Sequence, residues 1–312
     1  MAPSSNDYTD VSLANLMRLG KPDVLVIGAS TVRSGIKPET LERLIAGAAG
    51  EAVHVQSAAQ GGFSLEAQRL LVQELARRDL LPDTVITGVS PRTLSGTFAS
   101  EDDWFIDSEL GRLLGGCDDV LADDALDCLL GQVSALWRWR GRPERLAEAA
   151  RNGMPRTWDQ GTNTLREDGW LVGRASKPEQ LEGNIDRALG RVVESIEVPD
   201  KVVEDFAAFV EELRAHGVEP IVMEMPWLDR LEEELVARNP DWADERAAGY
   251  EQLEAAAGLE IIDVDGFGDW AEPASFRDPR HLSRKGAGPF TRQLWEMPAF
   301  RQAVLDRLGS GA

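Results

Sequence analysis

Near the C-terminal end of a 312-residue chain, Asp278-Pro279-Arg280-His281-Leu282-Ser283 sets a carboxylate three positions before one of only three histidines. An imidazole titrates near neutral pH, and an ionised carboxylate beside it fixes which ring nitrogen carries the proton. A hydroxyl for that base to act on stands far upstream, in Gly28-Ala29-Ser30, where an apolar run ends. Serine is a weak nucleophile until a base takes its proton. Ser30, His281 and Asp278 are therefore candidates for nucleophile, general base and orienting acid, a set that opens an ester carbonyl through an acyl-serine. Taken singly, Ser30 reads better as a helix cap and His281 as a surface-loop residue. It is the combination that points to catalysis.

Such residues, 251 positions apart, need a scaffold that returns to one place, and the pattern supplies one. Apolar runs at 23–28, 52–57, 83–88, 219–225 and 259–264 read as short strands. Helical patterns lie between them, from Pro38, over 65–78, over 201–216, over 228–238 and over 244–257, with final helices at 286–296 and 298–308. Strands of this kind alternating with helices predict an α/β fold: a three-layer, flavodoxin-like parallel sheet of about five strands, covered on both faces. Sites in such sheets form beyond the carboxyl ends of the strands. Those ends carry Ser30, Gly61-Gly62, Ser90 and, after the last strand, Asp278 and His281.

The rhythm breaks between Phe98 and Pro199, which predicts a largely helical insertion after the third strand. Helical patterns there fall near 107–115, 119–140 and 143–151, and a hairpin or loop is expected around Asp168-Gly169, within 164–171. Trp104, Trp137, Trp139, Trp158 and Trp170 make the insertion aromatic. They read as a small satellite core, with a stacking lid over a sugar or aromatic acceptor as the alternative.

Composition narrows the function. The net charge is −21, spread along helices such as 203–212 and 231–234. Phosphate backbones and anionic membrane faces repel such a surface, so nucleic acid is excluded as a partner. The basic residues from Arg138 to Arg145 read as a solvated face. No apolar run approaches the length of a membrane span. The start, Met1-Ala2-Pro3-Ser4-Ser5-Asn6-Asp7, has neither a basic nor an apolar leader segment, so a cytoplasmic location is expected. Cys117 and Cys128 read as inert thiols, too few for a zinc site. No metal or cofactor is expected.

In order along the chain, Gly28-Ala29-Ser30-Thr31-Val32-Arg33, Gly61-Gly62, Gly88-Val89-Ser90-Pro91-Arg92 and Asp278-Pro279-Arg280-His281-Leu282-Ser283 resemble the blocks of the SGNH, or GDSL-like, hydrolase superfamily. The resemblance covers nearly the whole chain outside 98–199. It is closest to the branch of teichoic-acid D-alanylation and alginate O-acetylation proteins. It implies one SGNH-like α/β domain over 1–312, with 98–199 as an insertion or lid. It also implies that Ser30, Asp278 and His281 are the triad. The oxyanion donors would be the Ser30 backbone N–H, the N–H of Gly61 or Gly62, and a side chain at Ser90, where the superfamily has Asn. Arg92 or Arg33 would compensate for a weak donor there. Ala29 also departs from the superfamily, many of whose members have Asp. A serine esterase acting on an ester of a sugar or small metabolite is the activity implied. An O-acyltransferase with the same triad and a noncatalytic binding protein stay open as alternatives, and the oligomeric state is not indicated.

Overall fold

The computed structural model describes residues 15–95, 158–159, 163–173, 177–189, 196–264 and 272–310. The helical patterns expected over 107–151, both cysteines, Trp104, Trp137, Trp139 and the basic residues from Arg138 to Arg145 lie outside these residues.

Val24, Leu25, Val26 and Ile27 have no solvent exposure. Four consecutive buried residues cannot all face one side of a strand, so β1 (Val24–Val26) must be covered on both faces. It pairs in parallel with β2 (Val55–Ser57) on one side and β3 (Thr84–Val89) on the other. Beyond β3, the sheet continues in parallel through β7 (Ile221–Glu224) to β8 (Ile261–Ile262), giving the order β2-β1-β3-β7-β8. This is the expected five-stranded parallel sheet. The chain runs outward from β1 to β2, then crosses back and proceeds to the opposite edge.

That reversal puts the connecting helices on two faces, because parallel crossovers are right-handed. One layer contains α1 (Ser30–Gly35), α2 (Pro38–Ala49), α9 (Arg284–Glu296) and α10 (Pro298–Ser310). Helix α9 packs on α1, α2 and α10. The other layer contains α3 (Leu65–Arg77), α6 (Asp200–Ala215) and α8 (Trp242–Ala257), with α6 packed between its neighbours. Local signals set several of these ends. Pro38 occupies the first turn of α2, and Gly50 closes that helix in the left-handed region at φ 78°. Ser64 caps α3 by accepting the Ala67 N–H at 3.1 Å. Helix α7 (Asp229–Arg238) follows β7, and a short helix, α4 (Pro91–Leu94), follows β3.

The described part of the insertion holds strands as well as a helix. It contains an antiparallel sheet of β4 (Trp158–Asp159), β5 (Asn163–Leu165) and β6 (Leu171–Gly173), then α5 (Pro178–Leu189). The expected hairpin is the β5–β6 pair, closed by Arg166 N–H to the Trp170 carbonyl at 2.9 Å. Strand β4 and helix α5 have no counterpart in the sequence expectations. The hairpin tip docks on the edge of the main sheet, where the Ser57 N–H donates to the Asp168 carbonyl at 2.8 Å. Trp170 is 2% exposed, with the Lys37 ammonium 5.4 Å from its ring centre. It is packed as core, in keeping with the satellite-core expectation. Gly169 makes this docking possible. It sits at φ 80°, and a Cβ there would lie 1.8 Å from the Ser57 carbonyl oxygen. Gly169→Ala should lower the urea midpoint by about 1–3 kcal/mol of stability. Gly50→Ala, equally left-handed but in open space, should cost distinctly less. Equal losses would show that the close approach is unimportant.

Candidate active site

The acid and base are held by a tight turn. Asp278 ends β9 (Phe276–Asp278) and His281 begins β10 (His281–Leu282), and the two residues face each other as an antiparallel pair. Pro279 and Arg280 make the connection. Asp at the first turn position and Pro at the second are the residues favoured by a type I turn. The Asp278 carboxylate closes the turn by accepting the Arg280 N–H at 3.1 Å. The spacing of three therefore has a physical basis: residues at the two mouths of a two-residue turn lie side by side.

Further contacts hold that turn and the helix after it in place. The Leu228 N–H, beyond β7, donates to the Pro279 carbonyl at 2.9 Å. Ser283 caps α9, accepting the Lys285 N–H at 3.2 Å and donating to the Ala274 carbonyl at 3.2 Å. Gly286 lets α9 approach so closely that a Cβ there would lie 2.2 Å from the Ser275 carbonyl oxygen.

The position of Ser30 follows from glycine packing. Gly28 leaves β1 at φ 150°, and a Cβ there would be 2.5 Å from the Val32 side chain, one turn into α1. A Cβ at Gly88 would meet Met225 at 2.8 Å and Val32 at 2.9 Å. Only with both positions bare can α1 begin directly at Ser30, over the strand ends. The Gln60 N–H donates to the Gly28 carbonyl at 2.9 Å, which brings the Gly61-Gly62 loop beside the serine loop.

The three candidate side chains meet. His281 Nδ1 lies 2.7 Å and 2.9 Å from the two Asp278 carboxylate oxygens, and Nε2 lies 2.8 Å from the Ser30 hydroxyl. With Asp278 ionised, Nδ1–H donates to it and Nε2 is left to accept the Ser30 proton. Burial pushes the Asp278 carboxyl upward, but the His281 ring, the Arg277 guanidinium and the Arg280 N–H together hold it well below the usual carboxylate range. The imidazole moves down from its ordinary value. Burial is the main cause, Asp278 opposes it, and the Arg277 and Arg280 charges add to it. His281 is thus neutral at neutral pH, the state in which it can act as a base.

The remaining predicted residues lie on the segments that follow β2 and β3. A Cβ on Gly61 would lie 3.1 Å from the Arg33 guanidinium, so Arg33 rests against that loop. Gly62 adopts φ 69°. Ser90 is 3% exposed and caps α4 in a capping box with Thr93, whose hydroxyl accepts the Ser90 N–H at 3.1 Å. Arg92 lies on α4, where its carbonyl accepts the Ser95 hydroxyl at 2.9 Å. Of the other histidines, His54 is bound through its N–H to Asp23 at 2.6 Å, and His216 ends α6 with its ring 3.2 Å from Glu212. Glu224 is a further carboxylate at the same sheet edge, 6% exposed and 3.6 Å from Arg246.

Sequence reasoning missed the Gln60–Gly28 link, the roles of Ser283 and Gly286, and the charges of Arg277 and Arg280 beside the histidine. Ser283 directly before the helical run was a visible helix-start signal. The other contacts are long-range and had none. Among the described residues, no cluster of histidine, cysteine and carboxylate side chains is placed to hold a metal, and no helix is long and apolar enough to cross a membrane.

No protein-family model matches the chain, and no curated protein matches it.

With three histidines in the chain, proton NMR can follow each ring. The His281 resonance should titrate below the ordinary value of 6.5. In Asp278→Asn it should fall further, because the opposing carboxylate is gone. The linked stability is present above pH 6.5 and is lost as pH falls and the unfolded chain takes up the proton first. A His281 titration above 6.5 would contradict this electrostatic description.

Proposed function

We propose that the chain is a serine esterase, similar in its site to the SGNH hydrolases, which removes an acyl group from an ester of a sugar or small metabolite. The observation that carries this reading is the continuous hydrogen-bond relay, with Ser30 Oγ 2.8 Å from His281 Nε2 and His281 Nδ1 2.7 Å from Asp278. Both nucleophile–base and base–acid contacts fall within the range that general-base catalysis requires.

Ser30 Oγ attacks the ester carbonyl carbon while its proton passes to His281 Nε2. Asp278 stays ionised and stabilises the imidazolium. The carbonyl oxygen becomes an oxyanion, for which the Ser30 backbone N–H and the N–H of Gly61 or Gly62 are the donors this reading assigns. A hydroxyl that accepts a bond at a helix cap still has its own proton to give, so the Ser90 role as third donor is compatible with its capping position. Each such donor is worth on the order of 3–4 kcal/mol of barrier. Collapse breaks the bond to the alcohol, which leaves with the proton from His281. Water then attacks the acyl carbon as it gives a proton to His281, and His281 returns that proton to Ser30 Oγ as the acyl–serine bond breaks and the free acid leaves.

A fluorophosphonate probe should label Ser30 in the wild type and not in Ser30→Ala. Ester turnover should drop by roughly 10⁴–10⁶ in Ser30→Ala. Labelling that survives this substitution, or a wild type that neither labels nor turns over esters, would overturn the proposal and favour a noncatalytic role.

A further inference from the structure

Beside Ala29, one residue before the nucleophile, is a pocket of about 30 Å³ between the first turns of α3 and α6. One water-sized group needs roughly 10–15 Å³, so the space takes about two or three, the size of a methyl to propyl tail. Ala29, Phe63, Leu65 and Val202 give it apolar walls.

The polar groups of the lining are already engaged. Ser64 caps α3, Gln68 donates to the Phe63 carbonyl at 3.1 Å, and Thr93 accepts the Ser90 N–H at 3.1 Å. At the rim, the Lys201 ammonium pairs with both Asp205 oxygens at 2.9 Å. With Ala29, Phe63, Leu65 and Val202 lining the space and the Lys201 ammonium paired to a carboxylate, the inner surface favours hydrocarbon over a charged group.

Position says which part of an ester belongs there. His281 approaches Ser30 from the layer of α9, which packs on α1 and α2. The departing alcohol must take its proton from that ring and so lies on that side. The pocket lies against the opposite layer, formed by α3 and α6, and Ala29 is the lining residue next to Ser30. The substituent left on that side of the carbonyl carbon is the acyl chain.

Resting on the esterase reading above, we propose that this pocket receives the acyl chain and restricts the enzyme to short acyl esters, of about two to four carbons. Leu65 and Val202 set the limit. A methylene that a small apolar site cannot accommodate changes kcat/KM by roughly tenfold or more.

The experiment is a kcat/KM series on the full chain with p-nitrophenyl acetate, butyrate and octanoate, in the wild type, Leu65→Ala and Val202→Ala. Fluorophosphonate labelling of Ser30 reports in each case that the site is folded. The wild type should process octanoate at least about tenfold less efficiently than butyrate, and either variant should raise octanoate relative to acetate by about tenfold. A wild-type profile that favours octanoate, or a ratio unchanged in both labelled variants while turnover still depends on Ser30, overturns the pocket assignment and leaves the esterase reading standing. Absence of any Ser30-dependent labelling or turnover overturns both.

Discussion

The site depends on a two-residue turn that makes a carboxylate and an imidazole direct cross-strand neighbours. Pro279 restricts the backbone, and the Asp278 side chain bonds the Arg280 N–H inside the turn. That bond and the His281 contact use the same carboxylate. The group that shapes the turn is therefore also the group that orients the base. Losing the carboxylate would change the turn and the histidine tautomer together.

The turn is useful only if its distance from Ser30 is fixed to within a few tenths of an ångström, and that precision comes from backbone packing. On the serine side, Gly28 and Gly88 give Val32 and Met225 room to settle between β1, β3 and α1. On the histidine side, Ser283 starts α9 and Gly286 brings it against Ser275. Helix α9 then packs directly on α1, which begins with Ser30. One helix–helix contact thus joins the two halves of the relay. Close-packed interiors transmit small volume changes, so a methyl group added at these glycines bears on the reactive distance although none of them touches a substrate.

The strands of the parallel sheet were legible in the sequence because both-face burial leaves an unbroken apolar run, as in Val24-Leu25-Val26-Ile27, and Pro38 marked the start of a helix. The relay was legible through residue type and order: Ser30 after the first strand, and Asp278 and His281 before a terminal helix. The details that hold it were not. The Pro279 carbonyl accepting the Leu228 N–H and the Gln60 N–H reaching Gly28 are backbone contacts between distant segments, and backbone groups leave no mark on side-chain patterns. The hairpin around Asp168-Gly169 carried a turn signal and was found. Strand β4 has two residues and helix α5 follows a Pro178 start, and both were overlooked against the Trp- and Arg-rich background of the insertion.

The central claim is that Ser30 carries the acyl group in a covalent intermediate. Rapid acid quench of the enzyme with a short p-nitrophenyl ester, followed by peptide mass spectrometry, tests it most directly. The account predicts one acyl group on Ser30 that forms with the first release of nitrophenol and decays as free acid appears. Sustained turnover with Ser30 unmodified throughout, or an acyl group on a residue other than Ser30, would contradict it.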